Sequence, residues 1–192
     1  MVIGYKKNGF IVYVSLKTMY STFEGLKKRG VVKLHRSPPG RNETGIAVVR
    51  SPYSRMESFY KDKMIKAMNP ELRQSCQKFL AKVFDRQRLI NRQVSFQEFI
   101  LNGIGKNLIQ VSRADGHLHS QCSYIPKATK HTVHMERPNE LKWLSERIGA
   151  DLSEFRANST SDVSVDLTWT PEMRRIVYRA YREDFERFGY SA

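Results

Sequence analysis

Phe10-Ile11-Val12-Tyr13-Val14, followed three residues later by Lys17-Thr18-Met19-Tyr20-Ser21-Thr22, is the stretch whose reading decides the fold. Gly9 leads into a run that is β-branched and aromatic, short, and apolar on both faces, so the pattern predicts a buried strand over Phe10–Leu16. Ser21 or Thr22 then supplies a cap for a helix through Phe23 and Leu26, with Lys27-Lys28-Arg29 in its last turn and Gly30 as its stop. A strand that passes into a helix through a lysine and three hydroxyls has main-chain N–H groups and a helix dipole aimed at one point. That is an anion site. The same residues also fit a plain helix cap beside a surface lysine. They are not a Walker A loop, because no G-x-x-x-x-G-K-[ST] occurs in the chain.

Working outward, Val31–His35 reads as a second short strand, Ser37-Pro38-Pro39-Gly40-Arg41-Asn42 as a loop, and Gly45–Val49 as another buried strand. Arg50 follows that strand, Pro52 opens a helix, and Ser58 falls in its second turn. Met56, Phe59, Tyr60 and Met64 continue at helical spacing. Arg50 has the planar fork that grips a phosphate with two bonds. Strands alternating with helices predict a parallel sheet with right-handed crossovers, whose ligands sit beyond the C-terminal strand edges. Lys17, His35 and Arg50 fall at three such edges. Two strand ends that each carry cations and hydroxyls describe a pocket for a doubly phosphorylated small molecule.

The stretch 70–102 is predicted to be helical, opened by Pro70, with Leu72, Cys76, Phe79, Leu80, Val83 and Phe84 on one face and a second helix from near Ser95. Gly103-Ile104-Gly105 reads as a helix stop. Residues 112–135 hold four of the five histidines in a loop-like segment before a short strand, Thr132–Met135. Pro138-Asn139-Glu140 begins a helix to Gly149, and 153–166 reads as a loop. Thr170-Pro171-Glu172 then opens the clearest helix: a capping hydroxyl, a proline in the first turn, an acid next. Met173, Ile176, Val177, Ala180, Tyr181, Phe185 and Phe188 line its buried face, and Gly189 ends it.

The chain of 192 residues is read as one domain, 1–192. Its charge of +14 is lopsided: residues 1–100 carry 20 Lys/Arg against 7 Asp/Glu, and residues 101–192 carry 13 against 12. A surplus confined to one half suggests an anionic partner held there, with a solvated basic surface as the plainer reading, and on charge alone nucleic acid, acidic glycan, anionic lipid and phosphorylated cofactor all qualify. No window approaches the roughly 18 apolar residues of a membrane span, and Lys6-Lys7 precede only a strand-length run, so no signal peptide is expected. Two cysteines, Cys76 and Cys122, make neither a zinc spacing nor a disulfide framework. The expected home is a reducing cytoplasm.

Val49-Arg50-Ser51-Pro52-Tyr53-Ser54-Arg55-Met56-Glu57-Ser58, with the Lys17 segment, resembles the sulfotransferases that take 3′-phosphoadenosine 5′-phosphosulfate (PAPS) as donor. In that family the 5′-phosphosulfate loop reads P-K-[T/S]-G-[S/T]-[T/S] between strand and helix, and the 3′-phosphate motif reads approximately V-R-[D/N]-P-x-x-R-x-x-S. More narrowly, the chain is similar to the carbohydrate-type branch that includes heparan sulfate 2-O- and chondroitin sulfotransferases and short bacterial relatives. Asp115-Gly116-His117-Leu118-His119-Ser120-Gln121 approximates that branch's D-x-H-W-x-P-Q element. Trp169-Thr170-Pro171-Glu172-Met173, Val177-Tyr178, Tyr181, Asp184-Phe185 and Phe188-Gly189-Tyr190 follow its C-terminal pattern. The departures are Leu16 for the proline, Met19 for the loop glycine, and Leu118 and Ser120 for the late Trp and Pro. A glycine serving positive φ would oblige Met19 to take a different turn.

The resemblance implies an α/β, P-loop-like three-layer fold with a small central parallel sheet flanked by helices. It implies that Lys17 contacts the 5′-phosphosulfate and the leaving oxygen, that Thr18, Met19, Tyr20, Ser21 and Thr22 surround that phosphate, and that Arg50 and Ser58 bind the 3′-phosphate. The acceptor would be a hydroxyl of a saccharide or glycoconjugate, which the basic front half suits if the sugar is acidic. Sulfuryl transfer is an in-line displacement that rests on positioning and charge, so Lys17 would neutralise the departing phosphate while a base takes the acceptor's proton. His35, at the place where relatives carry a base, is the catalytic candidate; His117 is the runner-up and a substrate-lining candidate, with Glu43 as a further base. His119, His131 and His134 read as structural, and no metal is required. A nucleic-acid-binding protein and a nucleotide kinase are the competing readings; the first lacks a recognition motif and the second a Walker lysine. The short chain favours a bacterial cytoplasmic enzyme.

Overall fold

Asn8 and Gly9, at φ 48° and 80°, close a hairpin between β1 (Gly4–Lys7) and β2 (Phe10–Val14). Two successive left-handed residues make the turn whose twist matches that of paired strands, and Asn-Gly is the dipeptide best suited to it. The computed structural model describes residues 2–66, 83–91, 93–152 and 163–192. They belong to two compact units, one drawn from Met1–Ser51 and Ser120–Ser159, the other from Pro52–His119 and Thr160–Ala192.

The first unit is built on a five-stranded sheet. After β2 come α1 (Tyr20–Lys28), β3 (Lys33–His35) and β4 (Thr44–Val49), and later β5 (His131–His134) and its helix, which we label α6 (Pro138–Ile148). The order is β3-β1-β2-β4-β5. β2, β4 and β5 are parallel, while β1 is antiparallel to both β2 and β3. The expected parallel sheet is therefore corrected to a mixed one, because the Asn8-Gly9 turn inserts a strand ahead of the predicted first strand. The directional consequence survives: β3, β2, β4 and β5 all run the same way and end at one edge. Residues 11–14 and 46–49 are fully buried, as are Tyr5, Phe23, Leu26, Leu144 and Ile148. Gly30 and Gly149 stop α1 and α6 in left-handed geometry, as their sequence positions predict.

The start of α1 differs from expectation. Met19, not Ser21 or Thr22, is its N-cap residue, and no side-chain hydrogen bond caps it. The predicted strand also ends early, at Val14, since Ser15 to Thr18 form a turn closed by Thr18 N–H on the Ser15 carbonyl.

The second unit is helical. α2 (Pro52–Phe59) passes into π-helical turns over Tyr60–Lys66; α3 (Arg86–Ile90) and α4 (Phe96–Glu98) follow. α4 starts where predicted, and the Ser95 hydroxyl caps it by accepting from Glu98 N–H. Wide π-helical turns over Phe99–Lys106 then lead into α5 (Asn107–Ala114). Gly103 and Gly105 are thus not a stop. A Cβ on Gly103 would meet the Phe84 ring at 3.4 Å, an ordinary contact, and one on Gly105 would lie 3.3 Å from the Ile176 side chain, so both glycines sit inside a packed helical run. α7 (Pro171–Ala180) begins with the Thr170 hydroxyl accepting from Met173 N–H, and the helix breaks at Tyr181 before α8 (Arg182–Phe188). Met56, Phe59, Tyr60, Met64, Phe99, Met173, Val177 and Phe185 share one core. The predicted helical face at Leu72, Cys76, Phe79 and Leu80, and most of the predicted loop 153–166, lie outside the described residues. Among the described residues no helix is long and apolar enough to cross a membrane.

Candidate functional site

The edge where β2, β4 and β3 end carries Lys17, Arg50 and His35. β2 and β4 are neighbours, about 4.8 Å apart, so Lys17 and Arg50 leave adjacent strands; β3 lies two strand spacings from β2, on the order of 10 Å.

The loop after β2 takes a strained course. Lys17 has φ 68° and Met19 φ 51°, and Thr18 between them stays at negative φ. Alternation of backbone hand turns successive N–H groups toward one side, the concavity that suits an anion. Met19 therefore keeps the left-handed geometry a glycine would supply, and the different turn expected of it does not occur. Thr18 is fully buried. Its hydroxyl lies 2.7 Å from the Ser15 hydroxyl and donates to Gln121 Oε1 at 3.3 Å. Tyr20, Ser21 and Thr22 form the first turn of α1, with Thr22 buried.

Arg50 stands where the strand ladder has run out, so its main-chain groups need other partners. Gln121 supplies them: Oε1 accepts from Arg50 N–H at 2.9 Å, and Nε2 donates to the Arg50 carbonyl at 2.8 Å. Ser51 N–H donates to Glu136 at 2.7 Å, and Met135 N–H to the Val49 carbonyl. Gln121 is completely buried; the sequence offers it as the last residue of the Asp115–Gln121 element, without naming its partners.

His35 is held from the far side of β1. Its Nε2 lies 3.0 Å from the Ser37 hydroxyl, and the Ser37 carbonyl accepts from the Tyr13 hydroxyl at 2.8 Å. Burial first, and the Glu43 charge second, push the Tyr13 hydroxyl up to about 12, so it remains a donor. Glu43 accepts from Lys6 and from Gly40 N–H. The Lys6 hydrogen bond, then the Gly40 one, hold its carboxyl below the ordinary range, which opposes the proton uptake a base requires.

Two predicted residues belong to the helical unit. Ser58, on α2, is buried. His117 has its Nδ1 2.5 Å from Asp115 Oδ1, and Asp115 also caps the short turn Gly116–Leu118 by accepting from His117 N–H. Behind that turn, Arg55 donates to the carbonyls of His117 (3.1 Å) and His119 (2.7 Å) and meets Asp184 at 3.3 Å, both side chains fully buried. The Tyr181 hydroxyl donates to the Leu118 carbonyl. Of the other histidines, His131 packs its ring on Trp143, and His134 pairs with Glu140 at 2.8 Å.

A family model described as the Sulfotransferase family matches residues 21–191. Lys17, Thr18, Met19 and Tyr20 lie just ahead of the matched stretch, while His35, Arg50, Ser58, His117 and Gln121 lie within it. Neither the curated proteins nor the solved structures contain a match. With that stretch accounting for most of its 192 residues, the chain belongs to the sulfotransferase family and is an enzyme of sulfuryl transfer.

Proposed function

We propose that the enzyme takes its sulfuryl group from PAPS and delivers it to a hydroxyl of a saccharide or glycoconjugate, within a P-loop-like fold. The observation that carries this reading is the pairing at one sheet edge: Lys17 and Arg50 follow adjacent parallel strands, and one buried amide joins Thr18, next to Lys17, to the Arg50 main chain. A donor with anionic groups at two ends suits two cationic loops on neighbouring strands.

In the proposed reaction the acceptor oxygen attacks sulfur in line with the phosphate oxygen that leaves. One S–O bond forms as the other breaks, and the products are the sulfate ester and adenosine 3′,5′-bisphosphate. The Lys17 ammonium and the N–H groups of the Thr18–Thr22 turn offset charge on the departing phosphate. Arg50 holds the 3′-phosphate, and Ser58 keeps the same assignment from the motif. His35 takes the proton. With Nε2–H donating to the Ser37 hydroxyl, Nδ1 keeps the lone pair that takes the proton, and the contact survives the transfer. His117 lines the acceptor region. The basic front half favours an acidic sugar.

The test is transfer of label from PAPS to a panel of acidic and neutral saccharides by wild type, Lys17→Ala and Arg50→Ala. Transfer by wild type and its loss in both variants supports the reading. Full activity in both variants would overturn it.

A further inference from the structure

Gln121 touches both cationic loops, and its amide has no slack. Arg50 N–H can only donate and the Arg50 carbonyl can only accept, which fixes Oε1 and Nε2 in place. The same Oε1 accepts the Thr18 hydroxyl, so Thr18 orients its own oxygen toward Ser15 as acceptor. The main chain of Gln121 is pinned as well: its carbonyl accepts from Tyr124 and Ile125 N–H, and the Ser120 hydroxyl caps the turn Gln121–Ser123. In effect the amide extends the β4 ladder by one rung and hangs the β2 loop on it. All of this lies within the sheet unit.

We propose that Gln121 is a positioning residue that sets the separation between the Lys17 loop and Arg50, and so makes the enzyme select donors whose two anionic groups stand at one fixed spacing. The inference rests on the donor reading above. A ligand that uses only one of the two loops does not sense the spacing; a ligand that bridges them does. Deleting the clamp therefore lowers affinity for a 3′,5′-bisphosphate while leaving a 5′-monophosphate alone. A general loosening of the fold would weaken both alike.

The experiment is calorimetric binding of adenosine 3′,5′-bisphosphate and of 5′-AMP to wild type, Gln121→Met and Gln121→Glu, at pH 8 and pH 6. In Gln121→Met the preference for the bisphosphate should fall about tenfold or more, the worth of one buried hydrogen bond. Gln121→Glu should match it at pH 8, where the carboxylate cannot donate to the Arg50 carbonyl. Where acid protonates the carboxyl the donor is restored, and the preference should recover part-way toward wild type. Reading the variant against wild type at each pH cancels titration of the ligand, and the charged residues on the two joined loops, Lys17 and Arg50, are cations at both values. If Gln121→Met does not fold, Gln121→Glu, which keeps the two acceptor bonds, carries the test. A bisphosphate preference unchanged in either variant at both pH values overturns the clamp alone. Absence of bisphosphate binding by wild type overturns the donor reading and the clamp with it.

Discussion

The Tyr13 hydroxyl donates to the Ser37 carbonyl across the backbone of Gly4. Gly4 stands opposite Tyr13 on one side and His35 on the other, and a Cβ there would lie 2.9 Å from Tyr13 Cε1. The bare glycine is what lets the ring of one strand reach the segment that holds the candidate base. Gly4→Ala should cost about 1–3 kcal/mol through overpacking. Tyr13→Phe should cost about 1–2 kcal/mol by leaving the Ser37 carbonyl unpaired. Urea unfolding measures both. If His35 is the base, both variants should also slow turnover more than they raise the Michaelis constant for donor.

Met19 occupies left-handed backbone at φ 51° without being glycine. That conformation costs an L-residue about 1–2 kcal/mol, of which glycine's extra chain entropy returns roughly 0.5–1. Met19→Gly should therefore be neutral to about 1 kcal/mol stabilising, with donor binding kept. Met19→Val, β-branched, should be destabilising. Denaturation midpoints of the two variants should move in opposite directions from wild type or, at least, only the valine variant should fall.

The Arg55–Asp184 pair is fully buried, and Arg55 also satisfies two carbonyls of the 117–119 turn. Asp184→Ala leaves a buried guanidinium without its counter-charge and should cost about 3–5 kcal/mol. The double variant Arg55→Met, Asp184→Leu should recover part of that loss. Equilibrium unfolding of the single and double variants checks it.

Acid should weaken the sheet unit through two carboxylates. Glu24 is held below its ordinary value first by the Lys27 hydrogen bond and then, against the penalty of burial, by the Tyr5 hydroxyl. At Glu140 burial works the other way, and the His134 N–H, Arg137 and the His134 ring outweigh it. Both folded values lie below the unfolded one, so the unfolded chain binds protons first. The stability they supply is complete above roughly pH 4.3–4.5 and drains away as pH falls through the folded values. Urea midpoints between pH 6 and pH 3 should fall less steeply in Glu24→Gln and Glu140→Gln than in wild type.

Local signals were the legible part. Pro52, Thr170-Pro171, Gly149 and Gly189 mark helix ends because their backbone constraints act within a turn. The strand-end positions of Lys17, His35 and Arg50 followed from apolar runs of strand length. Asn8-Gly9 was equally local and was passed over, which hid β1 and the mixed sheet. Gly103 and Gly105 misled because the helical run Phe99–Lys106 continues through both, its packing overriding the local glycine signal. Gln121 closes the Asp115–Gln121 element that carries part of the resemblance, yet its task is not legible there: its partners Thr18 and Arg50 are 103 and 71 residues away.

Thermal unfolding with adenosine 3′,5′-bisphosphate, 5′-AMP and ATP tests the central claim most directly, because only the first carries anions for both loops without a triphosphate. At a hundred times its dissociation constant the bisphosphate should add about 2.7 kcal/mol, raising the midpoint by roughly 5–10 °C for a chain of this size, and at equal concentration AMP and ATP should do much less. Equal shifts with all three, or none with the bisphosphate, would contradict a site built from Lys17 and Arg50 for a doubly phosphorylated donor.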